Sequence, residues 1–172
     1  MLADDGDYEF THPRFSPDGA SVACIRVLRT SPDNPGDSQL VVLPVEGGAP
    51  SEIAPDWDRW PTSFVWTPDG AALIVTADDG GRAPLFRVDA ATGAVTTLSV
   101  DHGSYSDPQV SPDGAYVYAL RAAVDAPPTP VRLEAAAPGQ QPAFLLAPGA
   151  APALPGRLTE VTTTATDGTP LR

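Results

Sequence analysis

The residues able to do chemistry are few. The 172-residue chain holds 2 His and 1 Cys, and its 10 bases are all Arg, with no Lys. His102 stands between Asp101 and Ser104. Those are the three side-chain types of acyl transfer through a serine nucleophile, in which His takes the hydroxyl proton and a carboxylate orients the His. Residues this close along one loop would need an improbable backbone to align nucleophile, base and orienter, so the stretch reads as a polar loop. His12 precedes Pro13 and reads as structural or exposed. Two His and one Cys are too few for an ordinary zinc site. Asp4, Asp5 and Asp7 read as a solvated acidic lead-in, and Asp33 to Asp37 lacks the register of a calcium loop. Cys24, inside Val22-Ala23-Cys24-Ile25, reads as a small buried apolar residue. Neither a metal nor a cofactor is expected.

The stretch from Asp56 to Pro61 is the richest non-catalytic set. Asp56, Asp58, Arg59 and Trp60 are its candidates for substrate or partner contact. The competing structural reading wedges Trp57 and Trp60 between neighbouring elements and pairs Arg59 with Asp56 or Asp58. The net charge of -12 disfavours a nucleic-acid partner, which needs phosphate-neutralising cations. The lack of Lys excludes Schiff-base chemistry and Lys-dependent phosphate loops. No run of 18 apolar residues is present, so no membrane helix is expected. The start lacks a cationic-then-apolar leader pattern, which favours a cytoplasmic location.

The elements that must position these residues are announced by a repeated phrase. It occurs as Ser16-Pro17-Asp18-Gly19, Thr67-Pro68-Asp69-Gly70 and Ser111-Pro112-Asp113-Gly114, with the Asp residues 51 and then 44 positions apart. Pro ends a strand, and Asp-Gly supplies the positive-φ positions of a tight turn, so Asp18, Gly19, Asp69, Gly70, Asp113 and Gly114 read as turn formers. Self-similarity at this period marks a propeller or another repeat array.

Each copy parses into four short strands. The middle copy runs through Thr62 to Thr67, Ala71 to Ala77, Leu85 to Asp89 and Val95 to Val100. The first runs near Arg14 to Phe15, Ser21 to Leu28, Gln39 to Val45 and Ser51 to Ile53. The third runs through Pro108 to Val110, Tyr116 to Ala122, Val131 to Glu134 and Ala143 to Leu146. Leu73-Ile74-Val75 and, apart from Arg26, Val22 to Val27 are apolar at successive positions, so both faces should be buried, as in a blade packed between neighbours.

The expected fold is therefore all-β: a partial β-propeller of three four-stranded antiparallel blades with a C-terminal linker and hairpin. Residues 1–9 form the lead-in, and 10–55, 56–102 and 103–147 the blades, the last irregular in its later half. Residues 148–156 form a linker, and 157–172 open a following domain. Loops Thr30 to Asp37, Asp56 to Pro61 and Ala126 to Pro130 should share one face, opposite the Asp-Gly turns. Recognition usually lives on such variable loops.

The Ser-Pro-Asp-Gly copies, Pro55-Asp56-Trp57-Asp58-Arg59-Trp60-Pro61 and the run from Thr76 to Phe86 resemble the β-propeller of prolyl-oligopeptidase-family serine peptidases. Within that family they resemble the bacterial dipeptidyl aminopeptidase and acylaminoacyl-peptidase group. Glu160-Val161-Thr162 through Asp167-Gly168-Thr169-Pro170-Leu171 resembles the first hairpin of that family's α/β-hydrolase domain. TolB-like periplasmic propellers share the repeated phrase, and a protein-binding scaffold of that kind is the alternative reading. The peptidase resemblance implies a propeller, usually of about seven blades, then a hydrolase domain with a Ser-Asp-His triad on a Gly-x-Ser-x-Gly elbow. No such elbow occurs here, and none of the catalytic residues is carried over. The chain is expected to be the last three blades and the return linker, without peptidase activity alone. Its implied partners are that hydrolase domain, the remaining blades and a short peptide substrate. Exposed faces of the end blades should drive self-association, with two copies closing a ring of six.

Overall fold

The computed structural model describes residues 6–33, 36–147, 149, 155, 159 and 161–171. Asp4 and Asp5, and most of the expected linker at 148–156, lie outside them.

Three four-stranded antiparallel sheets follow one another, each with its strands in chain order. The first blade comprises β1 (Tyr8–Phe15), β2 (Ser21–Leu28), β3 (Ser38–Pro44) and β4 (Ser51–Ile53). The second comprises β5 (Pro61–Trp66), β6 (Ala72–Ala77), β7 (Leu85–Asp89) and β8 (Val95–Thr97). The third comprises β9 (Ser104–Val110), β10 (Tyr116–Ala123), β11 (Ala126–Glu134) and β12 (Ala143–Phe144). A small hairpin, β13 (Thr163–Thr164) with β14 (Pro170–Leu171), follows. This is the all-β, three-bladed architecture expected from the repeats.

Two boundaries differ from the sequence reading. β1 begins at Tyr8, before the residue-10 start expected of the first blade. Ala126 to Pro130, expected as an irregular loop, forms the first half of β11 instead. Its prolines are tolerated because β12 pairs only with Val131 and Arg132. The earlier residues of β11 therefore have one side on which no ladder hydrogen bond is needed.

The repeated phrase folds identically each time. In the middle copy, Thr67 Oγ1 donates to Asp69 Oδ1 at 2.6 Å, Ala71 N donates to the same oxygen at 3.0 Å, and Gly70 N donates to Thr67 O at 2.9 Å. Gly19, Gly70 and Gly114 hold φ of 72°, 70° and 74°, the left-handed region where a side chain is strained. The turns also stack. A Cβ on Gly70 would lie 3.5 Å from Pro17 Cδ, and one on Gly114 would lie 3.8 Å from Pro68 Cδ. Each Pro thus seats against the glycine of the next blade.

The core lies between blades. All six residues of β6 are buried, because the strand is covered on both faces. Leu73 and Val75 turn toward the first blade and meet Ala23, Ile25 and Leu40. Ile74 turns the other way, toward Tyr105, Val117 and Val131 of the third. Burial of each large apolar side chain contributes about 1.5–3 kcal/mol. Backbone bonds add to the second junction. Tyr105 N donates to Ala83 O at 2.8 Å, and Gln140 N to Leu98 O at 2.7 Å. The segment between β11 and β12, expected to be loose, so lies along the outer edge of the second blade and covers it.

Candidate functional site

The connector between the first two blades carries the residues with the most chemistry. Trp57 N donates to Ala54 O at 3.0 Å, and Arg59 N to Trp57 O at 2.8 Å, which folds the connector tightly. Trp57 packs edge-on against Phe86, ring centroids 5.0 Å apart at 72°, on the inter-blade core. Trp60 instead is 53% exposed. One Trp is thus the wedge and the other a free ring. Asp56 and Asp58 are exposed.

Arg59 Nη2 lies 3.0 Å from Asp79 Oδ1 in the loop after β6, and 4.0 Å from Asp58 Oδ2. The pairing with Asp58 is one the sequence suggested, and the shorter one with Asp79 is one it did not. The register of β6 and β7 carries the 78–84 loop to the connector, a proximity that the sequence does not show. The connector and Asp37, at the end of the loop after β2, line one hollow of about 240 Å³. Two of the three loops expected on one face are thus together there, while 126–130 is in a strand. With its free indole beside exposed carboxylates, this face suits a ligand with an apolar group and a positive charge.

The carboxylates of the turns have a different job. Hydrogen bonds from Ser16, Thr67 and Ser111, and then from the following backbone N–H, hold Asp18, Asp69 and Asp113 below the usual carboxylate range. Each carboxylate organises its own loop.

Asp101 does not form a triad with its neighbours. Its Oδ1 accepts from Tyr105 Oη at 2.5 Å, and its Oδ2 from Arg121 Nε at 2.8 Å. His102 and Ser104 are exposed. The chain passes so close at Gly103 that a Cβ would lie 2.6 Å from Arg121 Nε. Burial and the adjacent carboxylate push the Tyr105 hydroxyl well above the usual tyrosine range, so it stays a donor. Only Asp101 of this group stood out in the sequence, because Arg121 is 20 residues away.

His12 lies on another surface. β1, β5 and β9 pack side by side, and each pairing register slips once, at Thr11/Arg14, Pro61/Ser63 and opposite Tyr118/Leu120. His12 and Asp107, with φ of 54° and 51°, sit at two of these bulges. With Ser63 they face a hollow of about 510 Å³ along the three first strands.

The family described as the TolB beta propeller domain matches residues 5–126. A probable dipeptidyl-peptidase 5 from Aspergillus niger is 34% identical over 100 residues, which are 57% of this chain and 14% of that protein. A dipeptidyl-peptidase 5 from Aspergillus fumigatus is 36% identical over 80 residues, 45% of this chain and 11% of that protein. The chain thus matches only a small part of the length of these relatives. Among solved structures, TolB from Acinetobacter baumannii superposes with a TM-score of 0.62 at 20% identity, covering 97% of this chain and 37% of that one. The β-propeller domain of the Trilobed protease from Pyrococcus furiosus gives 0.59 at 12% identity, covering 81% and 43%. At these identities the two structures support the fold alone. The dipeptidyl-peptidase relatives support the resemblance to a peptidase propeller segment. With its three matching turns, its blade order and the match over residues 5–126, the chain belongs to the TolB beta propeller domain family.

Proposed function

We propose that this chain is a non-catalytic propeller segment of a serine peptidase that hydrolyses short peptides. Its roles are to scaffold a hydrolase domain and to limit which peptides reach it. The observation that carries this reading is the 34% identity over 100 residues to a protein named as a probable dipeptidyl-peptidase 5. On this reading the connector face meets the peptide. Asp56 and Asp58 attract its ammonium group, Trp60 offers an apolar ring, and Arg59, held by Asp79, keeps the connector in place.

The test has two arms. Purified chain is incubated with dipeptidyl chromogenic substrates, and no turnover above a blank is expected. The coding sequence beyond Arg172 is then read for a Gly-x-Ser-x-Gly motif with downstream Asp and His. Turnover by the chain alone overturns the non-catalytic role, and a downstream sequence without that motif overturns the peptidase. The match to the TolB domain description favours a second reading, a scaffold for protein contacts. That reading predicts a downstream sequence without the Gly-x-Ser-x-Gly motif.

A further inference from the structure

The two junctions inside the chain are closed differently at their rims. In each, the connection between the third and fourth strands of one blade reaches back to the last strand of the blade before it. The two connections start alike: Ala90 N donates to Ala71 O and Ala135 N to Ala115 O, both at 2.9 Å. They then diverge. Between β7 and β8 the chain turns back at once, with Asp89 N donating to Ala94 O at 2.9 Å. Between β11 and β12 it runs on through residues 135–142.

The longer connection adds a short strand to the second blade. Gly139 N donates to Thr97 O at 3.0 Å, Gln140 N donates to Leu98 O at 2.7 Å, and Gln140 O accepts from Val100 N at 3.1 Å. Gln140 and Ser99 are paired in parallel. The shorter connection only touches the first blade, where a Cβ on Gly93 would lie 2.8 Å from Ala54 N. Ile53 lies opposite Leu40 as Leu98 lies on Leu85, and Ala54 follows Ile53 as Ser99 follows Leu98, so both connections arrive at the same place. Among the described residues, no backbone N–H from outside the sheet reaches Glu52 O or Ile53 O, the counterparts of Thr97 O and Leu98 O.

The shorter connection leaves a hollow of about 420 Å³ between the first two blades. Both of its walls belong to this chain, with β4 on one side and Trp66 and the turn at 90–93 on the other. Asp18, Glu52 and Asp69 line it, and among the described residues no base does. Glu52 is paired with Arg26. The hydrogen bonds to Asp18 and to Asp69 all end on Oδ1, so Oδ2 of each is left for a cation.

We propose that this hollow docks an extended segment of a partner protein that carries Arg or Lys. The segment adds in parallel to β4, as residues 139 and 140 add beside β8, and main-chain hydrogen bonds hold it. Its N–H groups donate to Glu52 O and Ile53 O. Pro55 stands where Val100 does in the second blade and has no N–H, so the third bond of that precedent is missing. The basic side chain of the segment compensates by reaching Asp18 and Asp69.

The test is nuclear magnetic resonance of the isotope-labelled chain titrated with acetylated hexapeptides. One peptide set copies residues 136–141 with Arg placed at each position in turn, and a second set carries Glu instead. At millimolar peptide, an Arg peptide is expected to shift the amide signals of Glu52, Ile53 and Ala54, and no Glu peptide is. Asp18→Asn together with Asp69→Asn is expected to weaken that binding about tenfold, the worth of one charge-assisted hydrogen bond. Ala91→Trp, at an exposed position on the wall of the hollow, is expected to abolish it. Silence of the three amides toward every Arg peptide overturns the proposal. So does binding that survives Ala91→Trp, that is unchanged in the Asn pair or that the Glu set matches. Shifts centred on Trp60 also overturn it, because they put the peptide at the connector. Should Ala91→Trp lose the wild-type amide pattern, Ser51→Trp, at an exposed position of β4, replaces it under the same expectation.

Discussion

Arg121 Nε donates to Asp101 Oδ2 at 2.8 Å, tying the second strand of the third blade to the segment that leaves the second. The two side chains are only 14% and 9% exposed. With Tyr105 on the other oxygen, the carboxylate is bonded on both sides. Arg121→Met or Asp101→Ala leaves a nearly buried charge without its counter-charge. Each is expected to lower stability by about 3 kcal/mol in urea unfolding. The double variant should lose clearly less than the sum of the two, because both remove one interaction. Strict additivity would show that the pair contributes nothing as a pair.

The turn carboxylates set the acid limit of the fold. Asp18, Asp69 and Asp113 titrate below their ordinary value in the folded state. Their contribution is therefore fully present above the unfolded carboxylate pKa of about 3.9 and is lost as pH falls through the lower folded values. The melting temperature should be flat from neutrality down to about pH 5 and fall below about pH 4. Replacing all three by Asn keeps an acceptor but removes the titration, so the acid fall should become shallower. An unchanged acid profile in that variant would assign the effect to other groups.

The two connector tryptophans should separate cleanly. Trp57→Ala removes a ring from the inter-blade core and is expected to cost about 3 kcal/mol. Trp60→Ala removes an exposed ring and should stay within about 0.5 kcal/mol of wild type. Iodide should quench the Trp60 fluorescence much more than that of Trp57. Equal stability losses would mean that Trp60 is also packed in solution.

Cys24 should be inert until the chain unfolds. It is 3% exposed, and burial pushes its thiol up to about 11. At pH 8 the native chain is expected to resist iodoacetamide, while the urea-unfolded chain should be alkylated rapidly. Mass spectrometry at timed intervals reads both. Rapid native labelling would place the thiol at an open surface.

The blades themselves were legible because their signals are local. Each Pro-Asp-Gly turn satisfies its own hydrogen bonds within six residues, as in the bond from Ser21 N to Ser16 Oγ. The apolar runs at Val22 to Ile25 and Leu73 to Val75 reflect burial on both faces. The site was less legible. Asp56, Asp58, Arg59 and Trp60 are together because they are adjacent in sequence, and so could be named. The ion pair of Arg59 with Asp79 depends on the hairpin register of the second blade. The extent of β11 was hidden by its prolines, whose composition reads as a loop.

By itself, the sequence determined the number of blades, their tight turns and the absence of cationic chemistry based on Lys. These follow from backbone preferences and composition, which act over a few residues. Only the tertiary structure decided that Arg121 reaches Asp101, that Trp57 is a wedge while Trp60 is free, and that Pro17 seats on Gly70. Those outcomes depend on which faces the twisted sheets turn toward one another, and contacts between residues 50 apart become neighbours only when the blades are packed.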